Sequence, residues 1–165
     1  MEFKQQVAIK VTVNGADIRA AVAPEESLLD FLRKQCGVTD VKCGCGMGEC
    51  GTCTLVLAGK VVKSCLVLAA QADGREVWTL QGLERDPLAA RLQDSFARHG
   101  AVQCGFCTPG MLIAARGFLQ RSPQPTRAEI REALSGNLCR CTGYQKIVDA
   151  VWAVAYGDAA EQERA

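Results

Sequence analysis

Histidine is almost absent from this 165-residue sequence, which contains only His99. A centre that needs two histidine ligands, such as a Rieske-type iron–sulfur site, is therefore excluded. The sequence also has no glycine-rich dinucleotide-binding motif, no phosphate-binding loop and no outstanding nucleophile, general base or carboxylate pair. We therefore expect this chain to carry no substrate chemistry of its own.

Neither sign of charge is in excess, and long apolar runs are missing. The 19 basic and 18 acidic residues give a net charge of +1, whereas nucleic-acid-binding chains usually have a basic excess. The apolar runs are shorter than the roughly 20 residues that span a bilayer. Residues 1–15 alternate in character and lack the apolar core of a signal peptide. These absences predict a cytoplasmic protein with no membrane span and no nucleic-acid partner.

Cysteine, in contrast, is abundant, with ten residues. In a reducing compartment this number indicates metal sites rather than a disulfide framework. A first group has the spacing Cys45-x4-Cys50-x2-Cys53 and is followed by Cys65. This spacing is typical of plant-type [2Fe–2S] proteins. Zinc remains an alternative because four cysteines also suit zinc, although zinc sites favour paired C-x2-C motifs.

Glycine is concentrated around this first group. It allows unusual backbone conformations there and removes side-chain bulk, so that backbone N–H groups can approach the sulfur atoms of an anionic cluster. The glycines are Gly44, Gly46, Gly48 and Gly51. Their density favours iron–sulfur over zinc.

A second group of four cysteines has the spacing C-x2-C…C-x-C. Its members are Cys104, Cys107, Cys139 and Cys141. Thr108-Pro109 and Thr142 follow its two halves and are typical of helix starts. The partial positive charge at a helix N-terminus favours an anionic cluster. This spacing alone also suits zinc, which remains an alternative here.

Two cysteines belong to neither group. Cys36 lies near the end of an amphipathic segment and is interpreted as a core residue. Cys43 would give an x6 spacing to Cys50 if it replaced Cys45, so we interpret it as a bystander.

The hydrophobic pattern changes character between Leu80 and Pro87. Before this point, period-two alternation and an Asn14-Gly15 turn predict strands with one helix. After it, capping residues and helical periodicity predict helices. The predicted strands are 7–13, 17–22, 54–57, 61–63 and 76–80. The predicted helices are 28–35, 87–98, 109–120 with Thr108 as its cap, 127–134 and one after Thr142. We therefore predict an α+β chain.

Three segments also carry a resemblance to a known family: CGCGMGECGTCTLVLAGKVVKSCL, GAVQCGFCTPGM and GNLCRCTGY. They closely resemble the small iron–sulfur subunit of the molybdenum hydroxylases, the family of xanthine dehydrogenase and aldehyde oxidoreductase. The resemblance extends from about Val7 to Trp152. It implies a β-grasp ferredoxin-like domain at residues 1–82 and a helical domain, a four-helix bundle, at residues 83–165. Each domain would bind one [2Fe–2S] cluster.

The resemblance implies roles for individual residues. Gln103 would contact the pterin of the molybdenum cofactor, and Cys141 would lie against the pterin amino group, both across a subunit interface. The ligands of the ferredoxin-like cluster would be Cys45, Cys50, Cys53 and Cys65. The ligands of the helical-domain cluster would be Cys104, Cys107, Cys139 and Cys141.

The resemblance also implies partners. A large subunit would bind molybdopterin and a medium subunit would bind FAD, in a heterotrimer or its dimer. Electrons would pass from molybdenum through the helical-domain cluster and the ferredoxin-like cluster to FAD. A chain that docks on such partners should expose apolar patches when it is free.

The substrate of the complex stays open at this stage. Xanthine or another purine is the first expectation, and aldehydes, other N-heterocycles, carbon monoxide and a hydroxybenzoyl thioester are alternatives. For the chain itself, a free-standing ferredoxin and a zinc-bearing adaptor are the competing hypotheses.

Overall fold

A five-stranded mixed sheet forms the amino-terminal half of the chain, whose computed structural model describes residues 6–157. The strands are β1 (Val7–Val13), β2 (Ala16–Val22), β3 (Thr54–Leu57), β4 (Lys60–Lys63) and β5 (Glu76–Trp78). Their order in the sheet is β2-β1-β5-β3-β4. Strands β1 and β5 pair in parallel, and the other neighbours are antiparallel. The predicted strands are thus present, although the last one ends at Trp78 rather than Leu80.

Tight hairpin turns join β1 to β2 and β3 to β4. Asn14-Gly15 has φ values of 50° and 85°, and Ala58-Gly59 has φ values of 47° and 77°. Positive φ at both central residues is what a type I′ hairpin turn requires. The Asn-Gly pair therefore fixes the register of β1 against β2, with Val13 opposite Ala16.

One helical segment packs across the sheet. Its first turn, α1 (Leu28–Asp30), is capped by the Ser27 hydroxyl, which accepts the Asp30 N–H at 3.0 Å. The segment then widens into a π-helical turn, Phe31–Gln35, in which the Cys36 N–H reaches back to the Phe31 carbonyl. The sequence predicts a regular helix here, and the structure has the wider turn instead. The apolar side chains of the segment lie in the first of the molecule's hydrophobic cores, together with those of the strands. These side chains are Leu28, Leu29, Phe31 and Leu32.

Four helices form the described part of the carboxyl-terminal half, up to residue 157. They are α2 (Pro87–Arg98), α3 (Thr108–Arg121), α4 (Arg127–Leu134) and α5 (Gln145–Tyr156). Helix α2 contacts α3 and α5, and α4 contacts the same two helices. The largest buried side chains of this second core are Leu92, Phe96, Met111, Ile130 and Ile147. Within residues 6–157, no helix is both long enough and apolar enough to cross a membrane.

Two of these helices do not begin where the sequence predicts. Thr108 is the first residue of α3, and Cys107 occupies the cap position without a side-chain cap bond. Helix α5 begins after Tyr144 instead of after Thr142, because Gly143 and Tyr144 both have left-handed backbone conformations, with φ values of 66° and 68°. Thr142 is therefore a turn residue, and the prediction that it caps α5 is wrong.

A small third core joins the two halves. It is built from Val56, Leu83, Ala89 and Ile113. Beside it, the start of α3 lies directly on the loop before β3: a Cβ placed on Gly110 would be 2.4 Å from the Gly51 carbonyl oxygen. Only glycine allows this approach, so the start of α3 packs against the backbone of Gly51 and Thr52.

Gly110→Ala tests this contact. In a helix interior, alanine is more favourable than glycine by about 1 kcal/mol. Without the close contact, the substitution would therefore raise the stability of the protein. We expect a net loss of stability of about 1–3 kcal/mol instead, as for other overpacked sites, because the Gly51 carbonyl belongs to the backbone and cannot rotate away. Thermal unfolding followed by circular dichroism measures the change.

Gly117→Ala, on the same helix, is the matched control. Its Cβ would be 2.4 Å from the Val61 Cγ2 atom, a side-chain atom near the sheet edge that can shift, so a smaller loss is expected. A Gly110→Ala protein at least as stable as Gly117→Ala would contradict the close contact between α3 and the loop.

Candidate functional site

The first cysteine loop wraps its backbone around the sulfur of Cys45. The N–H groups of Met47, Glu49 and Cys50 all donate to this sulfur at 3.3–3.4 Å. In return, the Cys45 N–H donates to the Cys50 sulfur at 3.4 Å. The backbone donors of Cys50 and Met47 lower the pKa of Cys45 to about 6. The loop thus favours a negatively charged sulfur at Cys45. The reciprocal N–H to sulfur bonds hold Cys45 and Cys50 together as a pair.

Cys53 and Cys65 form a second pair at the same site. Cys53 is buried immediately before β3, and Cys65 lies in the short turn Ser64–Leu66 after β4. Their sulfur atoms are 3.4 Å apart. Buried Ser64 fixes the turn by donating its hydroxyl to the Cys53 carbonyl at 2.9 Å. Burial and the neighbouring Cys53 thiol raise the pKa of Cys65 to about 11.

The second cysteine group contains a pair at the surface. Cys104 and Cys141 are both exposed, and their sulfur atoms are 3.6 Å apart. Hydrogen bonding to Cys104 raises the pKa of Cys141. The Gln103 amide donates to the Cys141 carbonyl at 3.1 Å, so the two residues with implied pterin contacts are held together.

Cys107 and Cys139 form the inner pair of this second group. Burial and hydrogen bonding to Cys139 raise the pKa of Cys107 to about 12. Burial also opposes ionisation of Cys139, but donors from Thr142 and Cys141 outweigh it and lower the Cys139 pKa. The Thr142 hydroxyl is one of these donors, at 3.1 Å from the Cys139 sulfur.

The eight cysteines singled out from the sequence therefore lie in two groups of paired thiols. Burial is the main cause of the raised pKa values of Cys65 and Cys107, and the charges of Cys45 and Cys104, respectively, raise them further. The two pairs within each group therefore interact electrostatically. Cys43 is exposed and has no contact of this kind among those described. Cys36 packs on the first core, where burial raises its pKa to about 11.

The pairs fit two iron atoms per group. Tetrahedral ligands at a metal–sulfur distance of about 2.3 Å are about 3.8 Å apart. This is close to the 3.4 Å between the Cys53 and Cys65 sulfurs and the 3.6 Å between the Cys104 and Cys141 sulfurs. Within residues 6–157, no group of three or more metal-binding side chains is placed around a single ion. Two thiolates per metal is the ligand set of a [2Fe–2S] cluster. Bound cations would deprotonate the thiols that are hydrogen-bonded to each other in the structure.

A peptide hydrogen bond and a buried side-chain hydrogen bond connect the two groups. The Leu138 N–H donates to the Cys50 carbonyl at 2.8 Å, and the Asn137 amide donates to the Gly51 carbonyl at 2.9 Å. Gly51 has a φ of 69°, and a Cβ there would be 2.4 Å from the Gly136 carbonyl oxygen. The residue beside Cys139 is therefore bonded to the backbone of Cys50.

Sequence analysis missed Asn137 and Leu138. Asn137 is buried and also donates to the Thr54 hydroxyl at 3.3 Å. Its position two residues before Cys139 is the one available signal, but no spacing rule links it to a loop 86 residues away.

Two family models match consecutive parts of the chain. The 2Fe-2S iron-sulfur cluster binding domain matches residues 11–80, and the [2Fe-2S] binding domain matches residues 79–152. The chain therefore contains two [2Fe–2S]-binding domains.

Similar proteins agree with the family models. The nicotine 6-hydroxylase small subunit of Paenarthrobacter nicotinovorans is 51% identical over 88% of this chain and 88% of that subunit. The xanthine dehydrogenase iron-sulfur-binding subunit of Escherichia coli O157:H7 is 44% identical over 92% of this chain and 96% of that subunit. A chain of quinoline 2-oxidoreductase from Pseudomonas putida 86 superposes with a TM-score of 0.85 and 47% identity, over 98% of this chain and 99% of that one. The chain thus belongs to the family of small iron–sulfur subunits of the molybdenum hydroxylases.

Proposed function

We propose that this chain is the electron-transfer subunit of a heteromeric molybdenum hydroxylase. One set of cluster ligands is Cys45, Cys50, Cys53 and Cys65. The other set is Cys104, Cys107, Cys139 and Cys141. The observation that carries the proposal is the arrangement of paired thiols in two groups that are connected by a peptide hydrogen bond.

The chain's role is to hold two one-electron centres at a fixed separation. A bound [2Fe–2S] cluster supplies the one-electron chemistry. The Cys50 carbonyl and the Leu138 N–H, 2.8 Å apart, provide a short hydrogen-bonded route between the two ligand sets. Asn137 is buried and bonded to the same loop. We therefore expect the hydrogen bond between Leu138 and Cys50 to stay intact during electron transfer.

The helical-domain site faces the molybdenum cofactor in this proposal. Gln103, Cys104 and Cys141 are exposed at one edge of the helical half. The bond from Gln103 to the Cys141 carbonyl fixes the orientation of that amide. A polar amide and an exposed ligand pair are suitable groups for contact with a pterin held by a large subunit.

Exposed apolar side chains border both sites and support docking on partner subunits. Beside the first site, Met47 and Leu66 are 67% and 64% exposed. Beside the second, Phe106 and Leu138 are 46% and 50% exposed. We assign the second patch to the molybdopterin-binding subunit and the first to an FAD-binding medium subunit, within a heterotrimer or its dimer.

The finer architecture and setting follow from the same proposal. Residues 1–82 would form the β-grasp ferredoxin-like domain and residues 83–165 the helical domain, a four-helix bundle; residues 1–5 and 158–165 of these ranges lie outside the described residues. The contacts of α2 and α4 with both α3 and α5 support the bundle. We further propose a cytoplasmic protein, since ten cysteines that serve as metal ligands or free thiols suit a reducing compartment.

For the whole complex we propose an N-heterocyclic aromatic substrate. The names of the three similar proteins refer to nicotine, xanthine and quinoline, and each of these compounds contains a nitrogen-bearing aromatic ring. Xanthine and other purines, the first expectation from the sequence, are one class within this proposal.

Metal content tests the ligand assignment. Full-length protein purified without oxygen should contain about four irons, as eight thiolate ligands require, and give two distinct EPR signals on reduction. Cys65→Ala should lose one signal and about half of the iron, and Cys141→Ala should lose the other signal. Iron analysis and low-temperature EPR measure both.

Cys36→Ala and Cys43→Ala are the matched controls and should keep both signals, because neither thiol is paired with a ligand. A chain that takes up zinc in place of iron after cluster reconstitution would refute the electron-transfer role. Loss of a signal in Cys43→Ala would refute the ligand set.

Gln103→Ala tests the contact with the molybdenum cofactor. In the assembled complex we expect substrate to reduce the clusters roughly tenfold more slowly. This factor corresponds to the free energy of about one lost hydrogen bond. Iron content and both EPR signals should stay the same. Stopped-flow absorbance measures the rate, and Gln124→Ala, an exposed glutamine between α3 and α4, is the control. Equal rates for the two variants would contradict a role for Gln103 at the cofactor.

Anaerobic reduction of the purified complex tests the substrate class. N-heterocycles such as xanthine, nicotine or quinoline should bleach the cluster absorbance, and simple aldehydes should not. Reduction by aldehydes alone would refute an N-heterocyclic substrate while leaving the electron-transfer role in place.

A further inference from the structure

The Thr142 hydroxyl is aimed at a single sulfur atom. It lies 3.1 Å from the Cys139 sulfur, to which it donates, and it accepts the Tyr144 N–H at 3.3 Å. A hydroxyl has one hydrogen to donate. Since the backbone N–H of Tyr144 occupies its acceptor side, that hydrogen points to Cys139.

The surrounding turn holds this geometry. Tyr144 has a φ of 68°, a left-handed conformation that is unfavourable for a residue other than glycine. Its phenol oxygen accepts the Cys139 N–H at 2.9 Å. The turn from Cys139 to Tyr144 is therefore closed by two hydrogen bonds, from the Cys139 N–H to the Tyr144 phenol and from the Tyr144 N–H to the Thr142 hydroxyl. Thr142 donates to the Cys139 sulfur instead of capping α5.

The corresponding threonine at the first site is bonded differently. The Thr52 hydroxyl is 3.2 Å from the Cys50 sulfur but also 3.3 Å from the Lys42 carbonyl oxygen. The carbonyl competes for its one hydrogen. A hydroxyl whose hydrogen is donated to a proposed ligand sulfur alone is thus found at the second site, at Thr142, and not at Thr52 of the first.

We propose that Thr142 raises the reduction potential of the helical-domain cluster through its hydrogen bond to the Cys139 sulfur. This inference rests on the proposed function, in which Cys139 is a cluster ligand. Reduction adds one negative charge to the cluster and its thiolates. A donor to a ligand sulfur stabilises the more negative state more strongly, and hydrogen bonds to sulfur are a recognised determinant of cluster potential. Thr142 acts through Cys139 and is therefore a positioning residue.

The direction of this effect suits the proposed electron route. If the helical-domain cluster is the first acceptor after the molybdenum cofactor, a higher potential favours its reduction by that cofactor. Thr142 would then bias the first transfer into this chain, while the first site, with its three N–H donors on Cys45, is tuned separately.

Thr142→Val tests the proposal, because valine keeps the branched shape and removes the hydroxyl. Redox titration of the full-length chain with its clusters, monitored by EPR, gives the potential of each cluster separately. At a fixed potential we expect the reduced-to-oxidised ratio of the helical-domain cluster to fall roughly threefold to tenfold; tenfold is about 59 mV for one electron. The signal lost in Cys141→Ala identifies this cluster.

Thr142→Ser is the matched control and should retain most of the wild-type potential, since serine keeps the hydroxyl. The other cluster should not change in either variant. An unchanged potential in Thr142→Val, an equal shift in Thr142→Ser, or an equal shift of both clusters would overturn the proposal.

Thr142→Ala provides a second comparison with serine if the valine variant binds its cluster poorly, and it should lower the same potential. A wild-type chain without iron–sulfur signals would refute the proposed function and this inference together. Two normal signals with an unmoved potential would refute this inference alone.

Discussion

A backbone hydrogen bond between the two cysteine groups, from the Leu138 N–H to the Cys50 carbonyl, constrains the rest of the molecule. It can form only where two loops from different halves meet without side chains between them, which explains the glycines at 51 and 110. Asn137 reinforces it from a buried position. Separating the halves would exchange these hydrogen bonds for bonds to water, at a net cost of about 0.5–1.5 kcal/mol each. The polar contact between the loops therefore adds to the small apolar core that joins the halves.

Both sites combine thiols that favour charge with thiols that resist it. In the first, backbone donors lower the pKa of Cys45 while burial raises that of Cys65. In the second, hydrogen bonds lower the pKa of Cys139 while burial raises that of Cys107. Four neighbouring thiolates are unfavourable without cations, so metal binding must release protons and add to the stability of each loop.

Local sequence rules account for much of this structure. Alternation and turn residues predict β1, β2, β3 and β4, and capping residues place the helices to within a few residues. The cysteine spacing selects the eight thiols that the structure pairs, although their role as ligands stays a prediction. These features are local in sequence, so patterns of two to four residues can reveal them.

The features that sequence analysis missed depend on contacts between distant segments. Asn137 bonds to a loop 86 residues away, and no periodicity records such a pair. The π-helical turn Phe31–Gln35 follows Asp30, and its apolar side chains lie in the same core as those of the strands. Thr142 has the residue type of a helix cap, but the left-handed pair Gly143-Tyr144 delays the helix and frees its hydroxyl for Cys139.

The hydrogen bond of the Leu138 amide proton to the Cys50 carbonyl has a consequence for hydrogen exchange. This proton is bonded across the junction of the two halves instead of within a helix or strand. It can exchange with solvent only when that junction opens, whereas the amides of α2 or β1 report local opening of their own elements. Deuterium uptake at this one residue therefore measures how often the two halves part.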